Sequence, residues 1–239
     1  MKWSLESYKH IIEMALKNDF NCLPFNSVVF GQESPTMLLR HDIDFSIEYA
    51  LDLAHLEKTL GVNSTFYVLI SSFSYNFLDQ GNLSILKKIR GMGHEIGVHL
   101  DSRILNDGDL GMGAQLINSI YSLMPDIFNS NSFSMHNPVQ NDLNFKIDDF
   151  TNCYSLMDLN NWVYVSDSNR NFRGKDILKL IENRENIQFL SHPIWWVNEK
   201  EEWIRVHADV IERRTRRSWG ELRKESPDFF KGVETGYEK

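Results

Sequence analysis

Apolar residues recur at three- and four-residue steps near the start of the chain. Leu5, Tyr8, Ile12 and Ala15 share one face, which predicts an amphipathic helix over 4–18 laid against the body. The spacing then changes. MLLRHDID (37–44) is an apolar run of strand length that ends in a histidine and two aspartates, the pattern of a buried strand delivering polar groups to one end of a parallel sheet. Ser46 precedes Ile47, Ala50, Leu51 and Ala54 on a single helical face, and Gly61 follows, so a capped helix is predicted over 46–60. STFYVLI (64–70), rich in β-branched and aromatic residues, predicts a second strand.

The rhythm continues with a helix over 83–92, a strand in HEIGVHL (94–100), a helix over 110–124 and a strand around NSFSMH (131–136). Strands at WVYVS (162–166) and NIQFLSH (186–192) flank a helix near DILKLIEN (176–183). Alternation of this kind predicts an α/β fold with a mostly parallel sheet and right-handed crossovers. No internal repeat, low-complexity tract or Pro/Gly-rich linker divides the chain, so 1–239 is expected to be one domain. The helix over 4–18 and a basic C-terminal helix at about 199–217 are additions to it.

Nearly every apolar strand ends in ligand-type residues: LLRHDID, EIGVHLD, FSMHNP, YVSDS and FLSHP. Any one histidine among them reads as a packed or surface side chain, but five such endings favour a site at the carboxyl end of a barrel. Carboxylate plus imidazole is a ligand set for zinc or a related divalent ion. Asp44 and His99, each at a strand end, are natural ligands. Asp42 lies two residues before Asp44, on the same face of an extended strand, so one carboxylate can bind metal while its neighbour handles a proton.

Composition narrows the choice of partners. The chain has 239 residues, 42% hydrophobic and 24% charged, and a formal charge of −8, which argues against a general nucleic-acid binder. Its two cysteines, Cys22 and Cys153, lack metal or redox spacing and read as reduced, packed thiols. MKWSLESYKHIIEMALKNDF carries charges within its apolar stretch, unlike a signal peptide, and no run of about 18 apolar residues occurs, so a cytoplasmic protein is expected.

Taken together, these motifs over 37–196 resemble the polysaccharide deacetylase superfamily, the NodB-homology enzymes of carbohydrate esterase family 4. RHDID resembles the family's TFDDG motif, GHEIGVH its GHEIGxH motif, FLSHP its leucine-x-histidine motif and YVSDSNRNFRG its penultimate motif. The resemblance implies a distorted (β/α)-barrel of about seven strands. It implies Asp42 as general base, Asp44 and His99 as metal ligands with His94 outside the ligand set, and His192 as general acid. Asp167, and with it Arg173, would orient the acid or base.

Two departures mark a divergent branch, similar to one found with bacterial surface-polysaccharide biosynthesis. The family's second histidine, four residues after the first, is here Arg103, and a cation cannot ligate a metal. SFSMHNP stands in place of the family's Arg-x-Pro motif and contains His136, the candidate for the missing ligand. The implied activity is metal-dependent, with zinc the expected ion. It is hydrolysis of a C–N bond other than a peptide bond: removal of an N-acetyl or N-formyl group from a nucleotide- or lipid-linked amino sugar. The alternative is a non-catalytic carbohydrate- or partner-binding barrel in which Arg103 fills the metal position. Arg103 and Arg173 are candidates to hold substrate, and Trp195 and Trp196 to form a sugar-stacking wall or else to cover the barrel rim. Arg213, Arg214, Arg216, Arg217 and Arg223 permit contact with a diphosphate or a membrane surface. With Glu212 and Glu221 interspersed, a solvated helix is the plainer reading.

Overall fold

The computed structural model describes residues 2–28, 33–105, 109–158, 162–198, 200, 202–229 and 231. In chain order the elements are α1 (Leu5–Lys17), β1 (Asn21–Leu23), β2 (Thr36–Ile43), α2 (Ile47–Leu60), β3 (Thr65–Leu69), α3 (Gln80–Gly91), β4 (Glu95–Leu100), α4 (Leu110–Leu123), β5 (Ser132–Met135) and α5 (Gln140–Leu143). They continue with β6 (Thr151–Asn152), β7 (Trp162–Ser166), α6 (Ile177–Glu182), β8 (Asn186–Ser191), α7 (Pro193–Val197) and α8 (Trp203–Glu225).

Short side chains set the helix starts. Ser4, Ser46, Asp79, Asp109 and Asp176 each accept a hydrogen bond from a backbone N–H of the first turn. The cap at Asp79 starts α3 three residues ahead of the expected Leu83, because its carboxylate satisfies the N–H groups of Gly81 and Asn82. Gly61, at φ +74°, ends α2 as expected. The C-terminal helix begins later and runs further than its apolar spacing suggested, over Trp203–Glu225, while positions 199 and 201 lie outside the described residues.

All strand pairs are parallel, in the order β6-β5-β4-β3-β2-β8-β7, with β1 alongside β2. The seven strands on that path curl into a distorted barrel. Arg40 on β2 reaches Ser134 on β5, and the short helical segment Cys153–Asp158 fills the space between β5 and β7, where no strand pairing closes the ring among the described residues. Two strands escape sequence reading, because β1 has three residues and β6 two, too short for a periodic signal.

Strand alternation sorts the side chains. On β2, Met37, Leu39, His41 and Ile43 face the outer helices, while Leu38, Arg40 and Asp42 face the barrel interior. Outside, one apolar cluster joins α1, α6, α7 and α8 to β2 and β8, and another joins α2, α3 and α4 to β3, β4 and β5. The interior is narrower, built on Leu38, Tyr67, Cys153 and Phe25. Gly97 makes room there, since a Cβ would lie 2.6 Å from the Tyr67 ring.

Under α2 the outer layer carries a buried polar network. The Glu57 carboxylate accepts from Tyr8 Oη at 2.6 Å and from Ser64 Oγ at 2.5 Å, and His41 Nε2 lies 2.9 Å away. His94 sits beside it, taking the Ser64 N–H on Nδ1 at 3.2 Å and facing the Ala54 carbonyl with Nε2 at 3.1 Å. Burial lowers its pKa, and its place on the helix side of the sheet keeps it out of the barrel mouth. No helix among the described residues is long and apolar enough to cross a membrane.

Candidate active site

The interior-facing positions of adjacent strands converge at the carboxyl end of the barrel. Parity along β2 carries Asp42 to this face and Asp44 just beyond it, parity along β4 carries His99, and His136 and His192 follow the last residues of β5 and β8. They line one cavity of about 560 Å³, within the usual range of about 300–1,000 Å³ for ligand sites.

At its floor Asp44, His99 and His136 each offer one ligand atom to a common point. His99 Nε2 and His136 Nδ1 stand 3.3 and 3.4 Å from Asp44 Oδ1 and 3.2 Å from each other. Ligands about 2.0–2.1 Å from a tetrahedral zinc ion are themselves about 3.3–3.4 Å apart, so this triangle has the size of one face of such a site. Asp44 Oδ1 is buried and has no short hydrogen-bond donor among the described residues, as expected of an oxygen shaped for a cation. Burial alone would raise the Asp44 carboxyl, but the imidazoles of His136 and His99 outweigh it and hold it well below the usual carboxylate range. Burial pulls His136 down and Asp44 pulls it up, and the carboxylate prevails. The Asn137 side-chain amide lies 3.0 Å from His136 Nε2. The near atom is the amide nitrogen Nδ2, which donates to Nε2.

Asp42 stands against this triangle, its Oδ2 3.4 Å from His99 Nε2, but is clamped from the other side. Arg40, fully buried, donates from Nε to Oδ1 at 2.9 Å and from Nη2 to Oδ2 at 2.7 Å. Ser134 Oγ and Tyr154 Oη also hold the guanidinium, which lies 4.7 Å from the Tyr154 ring centre. Burial would push Asp42 up, yet Arg40 keeps it ionised and lowers its pKa. Motif reading passed over Arg40, although it shares parity with Asp42 in RHDID and that signal was available.

Across the cavity His192 Nδ1 lies 2.6 Å from Asp167 Oδ1, and the His192 N–H donates to Asp167 Oδ2 at 2.9 Å. Burial alone would lower the imidazole pKa, but the Asp167 carboxylate lifts it to about 9, so the ring is cationic at neutral pH. Its Nε2 points toward Asp44, 3.6 Å from Oδ2.

The remaining sequence candidates are placed differently. Trp195 and Trp196 are buried among α1, α7 and α8 and do not line the cavity. Trp196 donates from Nε1 to Asp167 Oδ2 at 2.7 Å, so it steadies the partner of His192 rather than presenting a wall. Aromatic walls come instead from Tyr154, Tyr164 and Phe172. Arg103 is also outside the lining; its side chain is 68% exposed and grips Asp101 at 2.6 and 2.8 Å. Arg173 does line the cavity, joined by Lys175, which the motifs did not single out. On α8, Arg213 pairs with Asp209, Arg216 with Glu212, and Arg217 with Glu48 and Asp79. Intramolecular carboxylates thus occupy most of the charge that a diphosphate or membrane would need there.

No family model and no curated protein sequence matches the chain. Among solved structures it is similar to a chitin deacetylase from the fungal pathogen Colletotrichum lindemuthianum, at 17% identity and a TM-score of 0.41, over 82% of this chain and 87% of that one. It is similar to a peptidoglycan deacetylase from Bacillus subtilis, at 13% identity and a TM-score of 0.44, over 84% of this chain and 98% of that one. A family 4 carbohydrate esterase from Bacillus anthracis is similar at 13% identity and a TM-score of 0.41, over 87% of this chain and 86% of that one. Likeness at this distance transfers neither substrate nor activity, which have to be read from the site itself.

Proposed function

We propose that this protein is a metal-dependent N-deacylase of amino sugars, a divergent member of the polysaccharide deacetylase superfamily. The observation that carries the reading is the ligand-sized triangle of Asp44, His99 and His136, flanked by an ionised carboxylate and a cationic imidazole. Zinc fits the two nitrogens and one oxygen of that triangle. A divalent ion bound there polarises an amide carbonyl and makes water more acidic.

The chain's own groups divide the proton work. Asp42 Oδ2 accepts the proton of the attacking water. Its lowered pKa makes it a weak base, sufficient only for water already acidified, which ties its role to the neighbouring triangle. Arg40 holds both carboxylate oxygens and so fixes the direction from which the proton arrives. His192 Nε2, charged because Asp167 holds Nδ1, donates a proton to the departing amine as the C–N bond breaks. Tyr154, Tyr164 and Phe172 offer faces for a sugar ring.

The substrate is an N-acetyl or N-formyl amino sugar, carried on a nucleotide or lipid intermediate of surface-polysaccharide synthesis such as O-antigen or capsule, and handled in the cytoplasm. The non-catalytic reading required Arg103 in the ligand position, and its guanidinium lies on Asp101 instead. The test is amine release from N-acetylated and N-formylated amino sugars, both free and 1-phosphorylated, before and after chelation. Chelation should abolish turnover and zinc should restore it. Metal-replete protein that cleaves none of these amides would remove the proposal.

A further inference from the structure

Resting on that reading of the site, we propose that the substrate carries a phosphoryl group, held at the cavity mouth by Arg173 and Lys175. Both residues belong to the loop between β7 and α6, and both line the cavity that contains Asp44, His99 and His136.

Charge distribution inside the cavity supports this. Its lining includes two carboxylates, Asp42 and Asp44, both at the floor and both engaged, one by Arg40 and one by the two imidazoles. Arg173 and Lys175 are the exposed cations of the lining, and no further carboxylate lines the cavity among the described residues. Among the described residues neither Arg173 nor Lys175 pairs with a carboxylate, whereas Arg40, Arg103, Arg184, Arg205, Arg213, Arg216 and Arg217 all do. Lys175 Nζ donates to the Tyr164 carbonyl, which sets its head against the wall beside a candidate sugar-stacking ring. In a chain of net charge −8, long-range forces repel an anion, so a local pair of cations is what admits one.

The loop fixes the backbone that carries Arg173. Arg173 has φ +52°, next to Gly174 at +80°, and its N–H donates to Asn171 Oδ1 at 2.7 Å. A left-handed arginine is strained and persists where its surroundings dictate it, often at ligand clamps. A planar guanidinium and an ammonium lining one cavity suit the several oxygens and near-double charge of a phosphoryl group better than the single charge of a carboxylate.

The experiment is calorimetric titration of the full chain, reading binding rather than turnover. The probes are N-acetylglucosamine, its 1-phosphate, a nucleoside-diphosphate conjugate, a short-prenyl diphosphate conjugate, and N-acetylmuramic acid as the carboxylate control. Wild type should bind the phosphorylated sugars at least about tenfold more tightly than the neutral one, the equivalent of one charged hydrogen bond. R173Q/K175Q, and to a lesser degree each single variant, should shrink that ratio to about twofold or less, and high salt should shrink it in wild type. Whichever diphosphate conjugate binds more tightly identifies the carrier, and either one supports the assignment. Equal affinity for neutral and phosphorylated sugar, an unchanged ratio in the double variant, or equal preference for the carboxylate sugar would overturn it. A chain that binds phosphorylated sugar in this manner yet cleaves no amide would retain the mouth site and lose the hydrolase. A hydrolase indifferent to phosphate would do the reverse.

Discussion

His136 Nδ1 stands 3.2 Å from His99 Nε2, with the two rings at 87° and both nitrogens turned to the same oxygen of Asp44. The two histidines come from neighbouring strands, β4 and β5, and not from successive turns of one segment. On the proposed reading, His136 supplies from the next strand the ligand that Arg103 cannot. The juxtaposition depends on register: β4 pairs with β5 so that His99 faces Ser134, and His136 is one inward step further on.

Replacing His136 with Ala should remove one of three ligands and weaken zinc binding by at least about 100-fold, on the scale of altered zinc sites. R103A should bind zinc as wild type does, because Arg103 is held by Asp101 away from the triangle. Competition titration with a chromophoric chelator measures both. Loss of zinc in R103A with retention in H136A would exchange their roles.

Asp42 touches the triangle without completing it, since both its oxygens are engaged by Arg40. D42N should therefore retain zinc within a few-fold while turnover falls by roughly 10²–10⁴, the range for loss of a positioned proton acceptor. Metal content and kcat are read on the same preparation. If zinc leaves with the carboxylate, Asp42 is a ligand and the base must be sought elsewhere.

Most of this centre was legible in the sequence because parity within a strand is a short-range rule. Asp42 and Asp44 share a face, and so do Arg40 and Asp42, whatever the rest of the chain does. His94 is excluded by the same rule, lying five residues before His99 and hence on the opposite side. Contacts between distant segments were not legible. Trp196 follows FLSH and looked like a wall, but whether an indole faces a cavity or a neighbouring carboxylate depends on how α7 packs, and it reaches Asp167, 29 residues away. Lys175 lies beyond any motif, and only the path of its loop brings it to the cavity.

The C-terminal helix is fastened by a carboxylate whose titration can be followed. Asp209 accepts from Tyr49 Oη at 2.6 Å, Lys200 Nζ at 2.7 Å and Arg213 Nε at 2.9 Å. Burial alone would raise its pKa, but these donors hold it at about 2. A carboxylate depressed on folding stabilises where it is ionised, so its contribution is complete above an unfolded pKa of about 3.9 and is lost as pH falls toward about 2. Because its partners are partly exposed, the effect should be on the order of 1 kcal/mol, roughly 2–4 °C in Tm for a chain of this size. D209N should melt below wild type by that amount at pH 6, and the gap should close between about pH 4 and 2.5. A gap that stays constant over this range would show that Asp209 acts by packing and not by charge.

The barrel interior makes a separate prediction at Gly97. A Cβ there would lie 2.6 Å from two carbons of the Tyr67 ring and 3.0 Å from the Ser132 carbonyl oxygen. The ring has little freedom to withdraw, because Tyr67 Oη is hydrogen-bonded to Ser132 Oγ at 2.5 Å and the side chain is fully buried. G97A should therefore cost about 1–3 kcal/mol through overpacking, a fall in Tm of several degrees. Gly91 is the contrast: nothing lies within 4 Å of a Cβ there, it ends α3, and alanine is the better helix former, so G91A should be neutral or slightly stabilising. Thermal unfolding of the two variants beside wild type separates steric need from backbone preference. If G97A melts with wild type, the interior has slack that this packing does not contain, and Tyr67 is free to move as the barrel accepts a substrate.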